Sequence, residues 1–168
     1  MAKKIGKGKT PAAAGTKAVD LLLKDTLADC HDMGIDFDEI QHESRLIGGG
    51  LTQRSIDKLK KKRALKEKDG ATWFAPHDKW LEDRETVVVK SDAQFTYFAN
   101  DIAYHLQKFE KDPDLVIDVF GSNHHGHVPR LQAVIESLGY DTDKFHVILY
   151  QWVRFKQGEK LLSMATRS

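Results

Sequence analysis

Two nearly continuous apolar segments constrain the fold of this chain more than any other feature of its sequence. They are LVIDVF (115–120) and FHVILYQWV (145–153), and such runs are typical of strands covered on both faces. A helix is predicted between them, because apolar residues recur there at helical spacing and Gly139 follows as a stop signal. The apolar positions of this helix are Val128, Leu131, Val134, Ile135 and Leu138. This order predicts an α/β fold, a parallel sheet with flanking helices, in which 115–120 is a central strand and 145–153 lies beside it.

The sequence before residue 115 predicts further helices and strands. The predicted helices cover 17–33, 52–68 and about 96–110, and the predicted strands cover 35–44, 69–75 and 85–90. Gly34 ends the first helix, and Thr52 or Ser55 opens the second after a glycine break at 48–50. Because a strand at 85–90 precedes the helix at 96–110 and the strand at 115–120, the parallel pattern is expected to start near residue 85.

Positive charge is concentrated in two blocks of the sequence. The first 24 residues carry six lysines and one acidic residue, and KLKKKRALKEK (58–68) is the second block. Such blocks form solvated surface or contact nucleic acid, since clustered lysine and arginine release phosphate counterions. Residues 1–16 lack periodicity and are predicted to form a disordered basic arm, followed by one domain over 17–168.

Cysteine usage and hydropathy indicate a cytoplasmic protein. Cys30 is the one cysteine of the chain and has no partner for an internal disulfide, which favours a reducing compartment. No apolar stretch approaches the roughly 18 residues of a membrane span, and no apolar segment of a secretion signal follows the basic N-terminus. We therefore expect no membrane partner.

Three histidines lie in the turn GSNHHGH (121–127), which follows the first apolar strand. In parallel sheets ligands bind at this location, and Gly121 would let the backbone turn sharply towards free N–H groups of the next helix. The histidines could ligate zinc, act as general bases, donate hydrogen bonds to a ligand, or be structural. Zinc is disfavoured because no cysteine or acidic cluster accompanies them, so no metal site is predicted. Contact with a ligand is the favoured interpretation.

The helix predicted at 96–110 carries a second group of polar residues. Its core face consists of Phe98, Ile102, Leu106 and Phe109. The neighbouring stripe consists of Tyr97, Asp101, Tyr104 and Lys108. A carboxylate framed by two phenols suits a planar cation, because a guanidinium prefers a bidentate acceptor and aromatic stacking. An exposed stripe without a ligand is the alternative.

Four segments together resemble the arginyl-tRNA synthetases over about residues 25–168. They are DGATWF, TVVVKSDAQFTYFANDIAYHLQKFEK, DLVIDVFGSNHHGHVPRLQAVIESLGYD and VILYQWVRFKQGEKLLSMATRS. The resemblance is to the later half of the catalytic domain of class I aminoacyl-tRNA synthetases, and it implies a Rossmann-like fold. It also implies the family reaction, in which ATP, with Mg²⁺, activates arginine, and the arginine is then transferred to its tRNA. No tightly bound cofactor is expected.

The resemblance also implies roles for individual residues. Tyr97 and Asp101 fall where the family holds the arginine side chain. The family's nucleotide-side motif falls on Gly121, Asn123, His124 and His125, and the strand end that meets adenine falls on Gln151 to Val153. Asn123 replaces the family's usual aspartate, so a ribose contact is expected to be weaker, although an amide can still accept a hydrogen bond from the hydroxyl. In SMATRS (163–168), only Met164 and Arg167 remain in register with the family's K-M-S-K-R segment, so its two lysines are replaced.

The pattern H-x-G-H at 124–127 also matches the ATP signature of class I synthetases, but the match is accidental. His127 takes the place of the aromatic residue that ends the G-x-D-H-H-G motif, and thereby completes a false signature. The family's true signature and its anticodon-binding domain lie in segments that this sequence does not contain. We therefore expect a piece of a synthetase that is inactive by itself: a fragment, a truncated gene product, or one half of a split enzyme whose partner is a complementary synthetase fragment. The alternative is a non-catalytic module that binds arginine, nucleotide or RNA.

Overall fold

The computed structural model describes residues 10–76, 85–151 and 153–162, and it divides the chain into two compact units, 1–41 and 42–168. In the first unit, helix α1 spans Pro11–Asp32. Thr10 caps it, since its side chain accepts a hydrogen bond from the backbone N–H of Ala13 at 3.3 Å. Residues 11–16, predicted to be irregular, are therefore helical, while 1–9 lie outside the described residues. None of the residues of α1 is buried.

The strand predicted at 35–44 is wrong. Residues 35–42 are irregular, and helix α2 spans Glu43–Gly48. The alternation of IDFDEI belongs to an exposed segment, in which Ile35 and Phe37 are 46% and 54% exposed. Without a neighbouring strand to accept and donate backbone hydrogen bonds, an alternating pattern does not form a strand.

Helix α3 spans Leu51–Lys61 and is shorter than the helix predicted at 52–68. It begins after Gly50, whose φ is 72°, and not at Thr52 or Ser55, whose hydroxyls are buried inside the fold. It ends because Arg63, with a φ of 61°, turns the chain into the following strand. The lysine-rich sequence that continues the helical pattern is therefore divided between a helix and a strand.

Three antiparallel strands follow: β1 (Leu65–Lys68), β2 (Ala71–Phe74) and β3 (Thr86–Val89). They form a sheet in the order β1-β2-β3, with Leu65 opposite Phe74 and Phe74 opposite Thr86. The two strands predicted here are confirmed, but the expected parallel pattern from residue 85 is wrong. The backbone groups of β3 pair with β2, so β3 lies in a different sheet from the strand that follows helix α4.

Helix α4 (Tyr97–Glu110) begins and ends where it was predicted. Its predicted core face is confirmed, since Phe98, Ile102, Leu106 and Phe109 are all buried. The core around it is made of apolar side chains from α3, the antiparallel sheet and the next helix, and includes Ile56, Leu59, Phe74, Val88, Leu131, Val134 and Ile135. Helix α4 thus lies in the core between α3, the antiparallel sheet and the next helix.

The second sheet contains the predicted parallel unit. Strand β4 (Val116–Gly121) pairs in parallel with β5 (Phe145–Tyr150), and helix α5 (Val128–Leu138) connects them. Two 3₁₀ turns, Ser122–His127 and Thr142–Lys144, flank this helix. The α/β fold class is confirmed. A last antiparallel hairpin joins β6 (Phe155–Gln157) to β7 (Lys160–Leu162).

The prediction that both faces of this sheet are buried is wrong for the described part of the chain. There the sheet has two strands, so β4 is not central, and β5 ends at Tyr150 instead of 153. One face packs on α4 and α5 through Val116, Asp118 and Phe145. On the other face, Ile117 is 50% and Val119 60% exposed. No helix in the described ranges is long and apolar enough to cross a membrane.

Candidate functional site

The candidate site lies where strands β4 and β5 end. Gly121 and Tyr150 are the last residues paired between the two strands, and the first 3₁₀ turn leads directly from Gly121 to α5. The φ of Gly121 is −63°, which other residues adopt readily, so the expected role of this glycine in a sharp turn is wrong. Space favours glycine here, because a Cβ atom would lie 2.6 Å from Oδ1 of Asn123 and this side-chain amide would have to move.

A pocket of about 490 Å³ opens at these strand ends. It is lined by Gly121, Ser122, Asn123, His124, Tyr150 and Val153. Four of these residues were predicted from the sequence, and they come from two strand ends that are far apart in the chain. Ser122 and Tyr150 were not predicted. Their positions next to the last residues of the strands were the available signal, because side chains there face the same opening.

Other predicted residues stand apart from this pocket. Nδ1 of His125 lies 3.1 Å from the carbonyl oxygen of Ser122 within its own turn, and the residue is exposed. Gln151 is also exposed and is not among the described residues that line the pocket. Met164 and Arg167 lie outside the described residues. Within the described ranges, no group of three histidine, cysteine or acidic side chains is arranged to hold a metal ion.

The predicted arginine-side residues lie on the first turns of α4. Tyr97 is 82% exposed at the start of the helix, and the side chain of Asp101, one turn further on, is 46% exposed. Oδ2 of Asp101 accepts a hydrogen bond from Nε2 of His127 at 3.0 Å. Since His127 ends the 3₁₀ turn that begins beside the pocket, the carboxylate of α4 and the turn after β4 are in direct contact.

Beneath this contact lies a buried cluster of charged side chains. Nδ1 of His105 is 2.7 Å from the carbonyl oxygen of Asp101, and its Nε2 is 2.7 Å from Oδ2 of Asp118. The carbonyl oxygen is an acceptor, and so is the carboxylate of Asp118 when it is ionised, so both ring nitrogens face acceptors. Lys108 donates to the other oxygen of Asp118 and lies 4.4 Å from the ring centre of Tyr104.

The ionised state of Asp118 follows from these partners. Burial by itself raises the pKa of this carboxyl, but the hydrogen bond and charge of His105, together with those of Lys108, outweigh burial and leave the pKa below its ordinary value. Sequence reasoning did not predict this cluster. The available signal was an aspartate within an apolar strand, because a charged group in such a strand must be paired by its neighbours.

A parallel βαβ unit with a pocket at the carboxyl ends of both strands defines a Rossmann-like class of α/β domain. Comparison with known proteins specifies the family. Residues 26–168 match the catalytic domain of the class I tRNA synthetases for arginine, and the chain belongs to this family.

Individual relatives agree with this assignment. The chain is 37% identical over 150 residues to an arginine–tRNA ligase of Coxiella burnetii, covering 89% of this chain and 25% of that protein. It is 41% identical over 149 residues to one of Citrifermentans bemidjiense, covering 89% of this chain and 27% of that protein. The crystal structure of a Campylobacter jejuni protein described as an arginyl-tRNA synthetase superposes with a TM-score of 0.81 at 27% identity, covering 94% of this chain and 34% of that one. The chain thus spans about a quarter to a third of the length of these relatives.

Proposed function

We propose that this protein acts in the ligation of arginine to its tRNA. The second unit, residues 42–168, would supply one surface that binds arginine and one that binds the adenosine part of ATP. Family membership supports this reaction class. The observation that carries the assignment to these residues is the contact between Asp101 and His127, which joins a half-exposed carboxylate to the turn bordering the pocket. An amino acid held at the carboxylate and a nucleotide held in the pocket would then lie on either side of one turn.

Asp101 is the proposed acceptor for the arginine side chain. A guanidinium presents parallel N–H donors, and a carboxylate meets them with short, charge-assisted hydrogen bonds. Tyr97 is exposed one helical turn away and offers an aromatic face or a phenolic oxygen to the same cation. Lysine would bind more weakly, because an ammonium lacks the planar fork of donors.

ATP is the proposed occupant of the pocket between the ends of β4 and β5. The backbone at Gly121 gives close approach, Asn123 offers an amide to a ribose hydroxyl, and Tyr150 offers a ring. In the reaction, a carboxylate oxygen of arginine attacks the α-phosphorus of ATP and pyrophosphate leaves. A terminal hydroxyl of the tRNA then attacks the arginyl carbonyl and AMP leaves.

Mg²⁺ is expected to arrive with the ATP phosphates. It prefers carboxylate oxygens as protein ligands, and the described lining of the pocket offers a hydroxyl, an amide and an imidazole instead. The described residues therefore do not fit a protein-held Mg²⁺ site, and no step is assigned to one. We also propose that the protein acts in the cytoplasm. Its proposed macromolecular partners are the tRNA and a complementary synthetase fragment.

Titration of the isotope-labelled 168-residue chain with arginine, followed by NMR, tests the arginine site. We expect saturable shifts at residues of α4 and the first 3₁₀ turn, with much weaker shifts for lysine. Asp101→Ala should weaken arginine binding roughly ten- to a hundredfold, because a charge-assisted hydrogen bond contributes about 1.5–3 kcal/mol. Asp101→Asn should weaken it less.

Asp114→Ala is the matched control, since it removes an exposed carboxylate from the loop before β4. It should leave the arginine affinity unchanged. If arginine causes no saturable shifts in the folded chain, or if Asp101→Ala binds arginine as the unaltered chain does, the assignment of this site is wrong.

A further inference from the structure

We propose that His127 is a positioning residue that fixes the carboxylate of Asp101 in the orientation needed to receive arginine. This inference rests on the proposed function, because it concerns how the arginine site is prepared. Its basis is the geometry of one imidazole ring, which packs against two phenylalanine rings and donates from one nitrogen to the carboxylate.

The ring of His127 is held in a slot between two elements. Its centre lies 5.6 Å from that of Phe98 on α4, at an interplanar angle of 73°. It lies 6.2 Å from the ring centre of Phe120 on β4, at 66°. The side chain is 22% exposed. Edge-to-face packing on two sides restricts rotation of the ring, so the direction of Nε2 is set by the packing of α4 and β4.

The hydrogen bond uses part of the accepting capacity of Asp101. Nε2 of His127 is 3.0 Å from Oδ2, and an ionised carboxylate can only accept, so the imidazole donates. Each carboxylate oxygen accepts more than one bond, and the carboxylate of Asp101 is nearly half exposed. Oδ1 and the second lone pair of Oδ2 therefore stay accessible to a guanidinium.

Asp101 is held at its backbone as well as at its side chain. Its carbonyl oxygen accepts from Nδ1 of His105, which is itself anchored to buried Asp118. With His105 fixing the helix turn and His127 fixing the carboxylate, the acceptor is ordered before the ligand arrives. A preordered acceptor binds more tightly, because less conformational entropy is lost on binding.

The same geometry makes arginine binding depend on the charge of His127. A protonated imidazole would place a second cation at the carboxylate that receives the guanidinium. The other titratable and charged groups of the described elements around this position are His124 and His125 on the same turn, Tyr97, Asp101, His105 and Lys108 on α4, and Asp118 on β4. Because these groups stay unchanged when His127 alone is substituted, a comparison of variants isolates its contribution.

The test measures arginine affinity by NMR titration between about pH 6 and pH 8, where imidazoles titrate. His127→Phe keeps a ring in the slot and removes the donor, so affinity at the upper pH should fall about three- to tenfold. His127→Gln keeps an N–H donor in a neutral side chain, so it should retain affinity and lose the part of the pH dependence due to His127. His146→Phe changes an exposed histidine of β5 and should behave as the unaltered chain.

The outcomes separate this inference from the proposed function. If Asp101→Ala weakens arginine binding while His127→Phe keeps both the affinity and the pH profile, the positioning role is wrong and the arginine site stands. If neither substitution affects binding, the arginine site itself is wrong. Should His127→Phe fail to fold, as judged from its NMR spectrum, His127→Leu decides, because it also removes the donor: an arginine affinity equal to that of the unaltered chain in that variant overturns the proposal.

Discussion

At the scale of single residues, the candidate pocket depends on Gly121, which has no side chain. Gly121→Ala would place a Cβ atom 2.6 Å from Oδ1 of Asn123, so the amide must move. Because a side-chain end can move, we expect a stability change within about 0.5 kcal/mol, together with weaker ATP binding. Thermal unfolding and an ATP titration measure the two effects. Gly126→Ala is the control, since no atom lies within 4 Å of its Cβ position. Equal ATP affinity of the two variants would contradict the role assigned to Gly121.

The histidines of the turn show how far residue-scale prediction extends. The sequence located them at a strand end, and His124 indeed lines the pocket. The sequence could not assign a different role to each histidine, because successive residues of a 3₁₀ turn point about 120° apart. His125 bonds to its own turn, while His127 reaches Asp101. A general base and a ligand contact therefore look alike in the sequence, whereas the neighbours of each ring differ in the structure.

At the scale of elements, helix α4 depends on the residue that precedes it. Oγ1 of Thr96 accepts from the backbone N–H of Ala99 at 3.3 Å and donates to the carbonyl oxygen of Val87 at 2.9 Å. Thr96→Ala should therefore destabilise the fold by about 1 kcal/mol or somewhat more, through loss of the cap and of the link to β3. Urea unfolding measures this change. Thr96→Ser keeps the hydroxyl and should cost less, and equal losses in the two variants would exclude a capping role.

Helices and strands also differ in how well their boundaries can be predicted from local sequence. The extent of α4 was predicted because apolar residues recur at helical spacing along one segment. The end of α3 was not predicted correctly, because lysine and leucine favour a helix at 62–68 as well. Pairing of Leu65 with Phe74 decides that region in favour of a strand. A partner distant in the sequence leaves no local signal.

At the scale of the whole molecule, acid stability should report the buried carboxylate of Asp118. Its pKa is lowered in the folded state by His105 and Lys108, in spite of burial. A lowered pKa contributes stability that is present above the unfolded value of about 3.9 and is lost as the pH falls through the folded value. Asp118→Asn removes this contribution. The difference in unfolding free energy between the two proteins should therefore shrink as the pH falls below about 5.

Urea unfolding at a series of pH values measures this difference. Asp114→Asn alters an exposed carboxylate and should match the unaltered chain at neutral pH within about 0.5 kcal/mol. A difference between Asp118→Asn and the unaltered chain that stays constant from neutral to strongly acid solution would show that the buried pair does not couple to protonation.

The sequence by itself determined the parallel unit, helix α4 and the family. These features rest on local patterns: apolar runs of strand length, apolar residues at helical spacing, and short motifs around Asp101 and Gly121. Only the tertiary structure decided that β3 pairs with β2, that one face of β4 is exposed, and that Asp101 meets His127. Hydrogen-bond partners and burial are properties of pairs of segments, and 26 positions separate Asp101 from His127. Residue spacing indicates which face a side chain occupies, whereas the packing of α4 against β4 and its turn determines what that face contacts.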